Sequence, residues 1–157
     1  MDKLTQLKET IAQEVNRYFE NTSLFLVEVK VLSNGKIEIF ADGISNITID
    51  ECVQLSKHIY QFLEENNLMN DNISLDVSSP GMEEPLKVPQ QFQKQIGKQV
   101  EVVLKNGLKI IGELLNTTET EVRIKEIIII KKKENIEEHT FTFEEINSIK
   151  KHFNIIL

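Results

Sequence analysis

Residues 74–87, SLDVSSPGMEEPLK, decide how the chain divides. Ile73, Leu75 and Val77 alternate with Ser74, Asp76 and Ser78, the period of a strand with one dry and one wet face. The strand must stop at Pro80, because proline holds the preceding Ser79 extended and cannot continue a ladder. Pro80-Gly81 has the residues for the centre of a type II turn, and Glu84 is restricted in turn by Pro85. All 3 prolines, Pro80, Pro85 and Pro89, fall in this joint, so a stiff connector is expected at residues 84–90. It would separate an N-terminal domain, residues 1–83, from a C-terminal one, residues 91–157, and fix their mutual orientation.

Upstream of the joint the pattern reads helix, hairpin, helix, strand. Leu4, Leu7, Ile11, Val15 and Tyr18 recur at three- and four-residue steps on one helical stripe. LFLVEVKV at 24–31 and KIEIFA at 36–41 alternate across Asn34-Gly35, a strong hairpin signal. Thr48 and Glu51 form a capping box that opens a second helix, expected from about Ile49 to about Asn66, with Asp50 near its positive end. Its apolar stripe is Cys52, Leu55, Ile59 and Phe62, which puts Cys52 on the buried side as a small hydrophobe. The order αββαβ, with both helices on one sheet face, predicts a two-layer domain. The other face would carry Glu28, Lys30, Glu38, Ser74 and Asp76 beside Leu24, Leu26 and Phe40, a surface able to dock a partner.

Downstream, a turn or short helix at PQQFQKQIG leads to QVEVVL, LKIIGELL, EVRIKEIIII, EEHTFTFEE and IKKHF, short strands separated by turn signals. Gly112 inside the second of these suits the sharp bend of a small barrel. A five-stranded barrel of the SH3 or Sm type is expected, with EEIN as a single helical turn before the last strand. The fold class is therefore α+β in two domains. The terminal FNIIL is expected to cover the barrel edge or the joint.

Composition excludes several classes. With 157 residues and 40% hydrophobic residues, the chain has enough apolar material for one medium or two small cores. The longest apolar run, Ile127 to Ile130, is far too short to span a bilayer, and the charged opening MDKLTQLKETIAQEV does not read as a signal peptide. A cytoplasmic protein is expected, and the 1 cysteine fits a reducing compartment. Net charge is -7, but residues 1–88 hold 7 Lys+Arg against 15 Asp+Glu, and residues 89–157 hold 11 against 10. An acidic first half attracts basic proteins and repels nucleic acid, while the second can still carry a basic patch.

No catalytic set emerges. The joint has no Gly-rich series or Gly-Lys-Ser pair, and Glu83-Glu84 would repel a phosphate. Neither Ser78 nor Ser79 sits in a Gly-x-Ser-x-Gly elbow. His58, His139 and His152 lack metal-ligand spacing and read as packing or surface residues. No enzyme activity, metal or cofactor is expected.

The run Val77-Ser78-Ser79-Pro80-Gly81, with Pro85-Leu86 at its distance, resembles the hallmark of the RimP family of ribosome maturation factors, and the similarity runs over essentially the whole chain. Where the family usually has Asp-Arg this chain has Glu83-Glu84, so an arginine contact made there is not carried over. The resemblance implies a non-catalytic factor that binds the immature small ribosomal subunit, aiding folding of its central RNA region and entry of the twelfth small-subunit protein. The partner motif it marks comprises Asp76, Val77, Ser78, Ser79, Pro80, Gly81, Pro85 and Leu86.

For RNA contact the candidates are Lys131, Lys132 and Lys133, with Arg123 and Lys125 on the same strand and Lys150 and Lys151 near the end. The lysine run suits a solvated guard beside IIII equally well. Phe141 and Phe143 are expected in the barrel core rather than stacking on bases. Two other classes stand against the assembly factor: a general Sm/SH3-like RNA-binding regulator, opposed by the acidic total, and an enzyme using the serine-rich loop, which lacks a catalytic set.

Overall fold

The computed structural model describes residues 2–153. It is a mixed α+β fold with the order α1 (Lys3–Tyr18), β1 (Leu24–Val31), β2 (Lys36–Gly43), α2 (Ile49–Glu65), β3 (Ser74–Ser78), α3 (Pro89–Gln95), β4 (Gln99–Leu104), β5 (Lys109–Thr117), β6 (Glu121–Ile130), β7 (Lys133–Thr142) and β8 (Ile146–Lys151). The chain falls into two compact units, the first ending at Pro80 and the second beginning at Gly81.

In the first unit the sheet order is β1-β2-β3, with β2 antiparallel to β1 and parallel to β3. Asp2 caps α1 by accepting from the Thr5 N–H at 2.7 Å, and the Thr48–Glu51 capping box starts α2. Both helices bury their stripes on the sheet: Ile11 and Val15 from α1, and Leu55, Ile59 and Leu63 from α2, against Val29, Ile37, Ile39 and Ala41. Two expectations need correction. The buried stripe of α2 is rotated, so that Leu63 lies in the core while Cys52 and Phe62 are only half-buried. A bulge at Val27 in β1 breaks strict alternation; it turns Leu24 and Leu26 onto the helix side with Ala41, and they leave the open face. The β1–β2 turn uses Gly35 at φ 92, where an added Cβ would lie 2.2 Å from the Asn72 carbonyl oxygen.

In the second unit the antiparallel sheet has the order β7-β6-β5-β4-β8. Its core is Val100, Val102, Leu104, Ile110, Leu114, Val122, Ile124, Phe141, Ile146 and Ile149, with Leu86 and Phe92 added from the segment before β4. Phe141 is buried and Phe143 packs against this core, as expected. Gly112 marks the point where β5 passes close beneath β6: an added Cβ would meet the Lys125 carbonyl oxygen at 2.4 Å. No register pairs join β7 to β8 among the described residues, so the hydrogen bonding does not close a barrel. EEIN forms no helix: Phe143 to Glu145 make a hydrogen-bonded turn into β8. Of the terminal FNIIL, Phe153 is exposed and residues 154–157 lie outside the described residues.

The joint differs in detail. Gly81 is not at positive φ, so Pro80-Gly81 cannot centre a type II turn. The turn runs two residues later, centred on Met82-Glu83, with the Glu84 N–H donating to the Gly81 carbonyl at 3.1 Å. Leu86 is buried and its N–H donates to the Ile149 carbonyl at 2.7 Å, anchoring it to β8.

Candidate partner-binding surfaces

The motif residues from Asp76 to Ser78 lie on β3, an edge strand. Asp76 and Ser79 are exposed, and Val77 and Ser78 half-buried. Beside them a groove of about 360 Å³ is lined by Leu75 to Ser79 and by Ile49, Cys52, Val53 and Ser56 of α2. Ile49 is 83% exposed and Val53 44%, so the groove has apolar walls open to solvent. Burial, with a smaller contribution from the Glu51 charge, pushes the Cys52 thiol above its ordinary range, which leaves it protonated and inert.

The RNA-contact candidates are not brought together. Lys131 and Lys132, at φ 52 and 65, form the two-residue turn between β6 and β7, and Lys133 pairs with Ile130 immediately after it. β6 is registered with β5 only from Val122 to Lys125 but with β7 over its full length. Residues 126–137 therefore extend as a two-stranded arm with the three lysines at its tip. Along the arm Ile127, Ile129 and Ile136 share one face and Ile130 lies on the other, all 52 to 71% exposed, so the first three form an apolar patch of the kind that marks a partner surface. Arg123 is ion-paired with Glu138 at 2.8 Å. Lys150 and Lys151 sit on β8, at the other end of the strand order, with Lys150 opposite Glu101.

Two clusters were not visible in the sequence. Glu14, 8% exposed, accepts a two-pronged contact from Arg17 and lies 2.9 Å from His58 Nε2. The His58 ring stacks on Tyr18 with centroids 4.5 Å apart. The Arg17 contact, aided by His58 against the cost of burial, holds the Glu14 carboxyl at about 2. This ties α1 to α2 and offers no nucleophile. The second cluster brings Glu126, Glu137 and His139 ligand atoms within 4.8 Å of one another, with His139 Nε2 2.9 Å from Glu126 and 3.7 Å from Glu137. His58 and His139 are thus half-buried, each with Nε2 within hydrogen-bond distance of a carboxylate. Glu14 and His58 are 44 positions apart, so only the Glu14–Arg17 spacing on α1 offered a clue.

A groove of about 490 Å³ in the second unit is lined by Leu86, Lys87, Phe92, Thr117, Glu119 and Phe143 among others. Among the described residues no helix is long and apolar enough to cross a membrane.

The RimP N-terminal domain family matches residues 14–83. A ribosome maturation factor RimP of Christiangramia forsetii is 32% identical over 119 residues, 75% of each chain. One from Porphyromonas gingivalis is 31% identical over 124 residues, covering 79% of this chain and 80% of the relative. A third, from Cytophaga hutchinsonii, is 38% identical over 104 residues, 64% of this chain and 62% of the relative.

Proposed function

The chain belongs to the RimP family of ribosome maturation factors, and from that premise we propose that it serves ribosome maturation by binding alone. Its target is the immature small ribosomal subunit in the cytoplasm, where it assists ribosomal RNA folding and the incorporation of ribosomal proteins, the twelfth small-subunit protein among them. It needs no cofactor and no small-molecule substrate. The observation that carries a binding role is the β6–β7 arm, which offers exposed isoleucines beneath a tip of three lysines. Phosphate contact suits the tip, and a protein or RNA surface is needed to cover the isoleucines.

The charge division supports two kinds of partner. Residues 1–80 carry 6 Lys+Arg against 13 Asp+Glu, which favours a basic ribosomal protein on that side, while the arm favours RNA. We read residues 91–157 as an SH3/Sm-like barrel left partly open: a β4-to-β7 meander bent at Gly112, with β8 returning to β4. Residues 84–90 join it to the first domain, residues 1–83, as a proline-restricted connector.

The lysine tip also favours a second reading, a general RNA-binding regulator of Sm/SH3 type. Depletion in cells separates the two. An assembly factor leaves small-subunit particles with unprocessed RNA accumulating while large subunits form normally; a general regulator leaves the ratio of subunits unchanged.

A further inference from the structure

The outward edge of β3 has a feature that neither the family motif nor the charge balance assigns. The Ser74 N–H donates to the Gly35 carbonyl at 3.2 Å, toward β2. In a parallel ladder alternate residues address the same neighbour, so Ser74, Asp76 and Ser78 turn their backbone groups to β2 while Leu75 and Val77 turn theirs outward. The Leu75 N–H confirms this, because it donates to the Tyr60 hydroxyl of α2 at 3.3 Å. Tyr60 therefore closes one end of the edge. Beyond it the Leu75 carbonyl and both backbone groups of Val77 turn toward the groove beneath Ile49, Val53 and Ser56, with no strand pairing there among the described residues. An edge strand lying beside a helix with an apolar groove between them is the geometry that accepts an added strand.

The charges select the occupant. Across the open face, register pairs run from Lys30 to Glu38 and from Glu38 to Asp76. Two carboxylates thus sit directly opposite one another on neighbouring strands, a destabilising pairing that the row leaves unrelieved on its outer side. A basic residue on a fourth strand would sit next to Asp76, and its apolar neighbours in sequence would turn toward Ile49 and Val53.

We propose that the β3 edge takes up an extended segment of another protein, alternating apolar with Lys or Arg residues, as a fourth strand of the first unit's sheet. This deepens the binding role proposed above, and rests on it only in assigning that segment to a protein of the assembling small subunit.

Val77→Pro tests it, since proline removes an outward donor while the bonds to β2 belong to Asp76 and Ser78. The probe is an alternating valine–lysine peptide, read by fluorescence anisotropy and by amide exchange. The peptide should slow exchange at Val77, and Val77→Pro should weaken binding about five- to tenfold, with far-UV circular dichroism unchanged. If Val77→Pro perturbs folding, Asp76→Lys, exposed and with its backbone groups turned to β2, should weaken binding similarly. Protection elsewhere on the protein, equal binding by the variants, or concentration-dependent pairing of two β3 edges in place of peptide binding overturns the proposal. Pelleting with immature small subunits keeps the two readings apart. Failure of the wild type to pellet defeats the ribosomal reading, whereas wild type and Val77→Pro pelleting equally defeats the assignment of the edge.

Discussion

Gly112→Ala should destabilise the second unit by about 2–4 kcal/mol, and the amount follows from a single close approach. The new Cβ would lie 2.4 Å from the Lys125 carbonyl oxygen and 2.9 Å from Ile124 Cγ2. Carbon–oxygen contacts settle at about 3.3 Å or more, so β6 must retreat by roughly 0.9 Å. It is not free to do so, because Lys125 is registered with Glu113 on one side and Glu138 on the other. Overpacking of this kind costs about 1–3 kcal/mol, and one weakened ladder bond adds about 1. At about 4–8 °C per kcal/mol for a unit of this size, the melting temperature falls by about 8–32 °C. Far-UV circular dichroism in urea is the right assay: the chain has no Trp, and its 2 tyrosines, Tyr18 and Tyr60, both lie in the first unit. A loss below about 0.5 kcal/mol would refute the reasoning that glycine is required for the β5–β6 crossing.

Other outcomes follow from the same structure. Lys131→Asn with Lys132→Gly removes two charges while giving the β6–β7 turn residues that tolerate positive φ. Stability should hold or rise by up to about 1 kcal/mol, while the salt slope of RNA or subunit binding falls by about 1–2. Glu14→Gln tests the α1–α2 tie. Glu14 is held at about 2 against its ordinary 4.5, so its contribution is present above about pH 4.5 and is lost as pH falls through about 2. Because Arg17 is 61% exposed, solvent screening reduces that contribution to about 1–2 kcal/mol, measurable as a urea-midpoint difference at neutral pH that vanishes in acid. Gly81→Ala should be nearly neutral, within about 0.5 kcal/mol by thermal unfolding, since its Cβ meets only Glu84 Cγ at 3.7 Å.

What could be read from the sequence was whatever short-range chemistry determines. Asn34-Gly35 and Asn106-Gly107 both make hairpin turns with the glycine at positive φ, and the Thr48–Glu51 box starts α2 at Ile49. Alternation found the strands, but it assumes one residue per step. The extra residue at Val27 has no signature of its own, and it moved Leu24 and Leu26 to the other face. The α2 stripe slipped for a related reason: Phe62 and Leu63 are adjacent and both apolar, so spacing alone could not say which faces the core. The turn at Lys131-Lys132 was hidden because lysine is not a turn former; only β6–β7 pairing forces positive φ there. The motif from Val77 to Gly81 was legible as a family mark, yet its exposed edge and groove depend on α2 lying alongside, which no local pattern encodes.

Co-sedimentation of the purified protein with immature small subunits, mature small subunits, whole ribosomes and free ribosomal RNA at moderate salt tests the central claim most directly. The account predicts selective pelleting with the immature subunit. Binding to free RNA alone, or to none of the four, would contradict it.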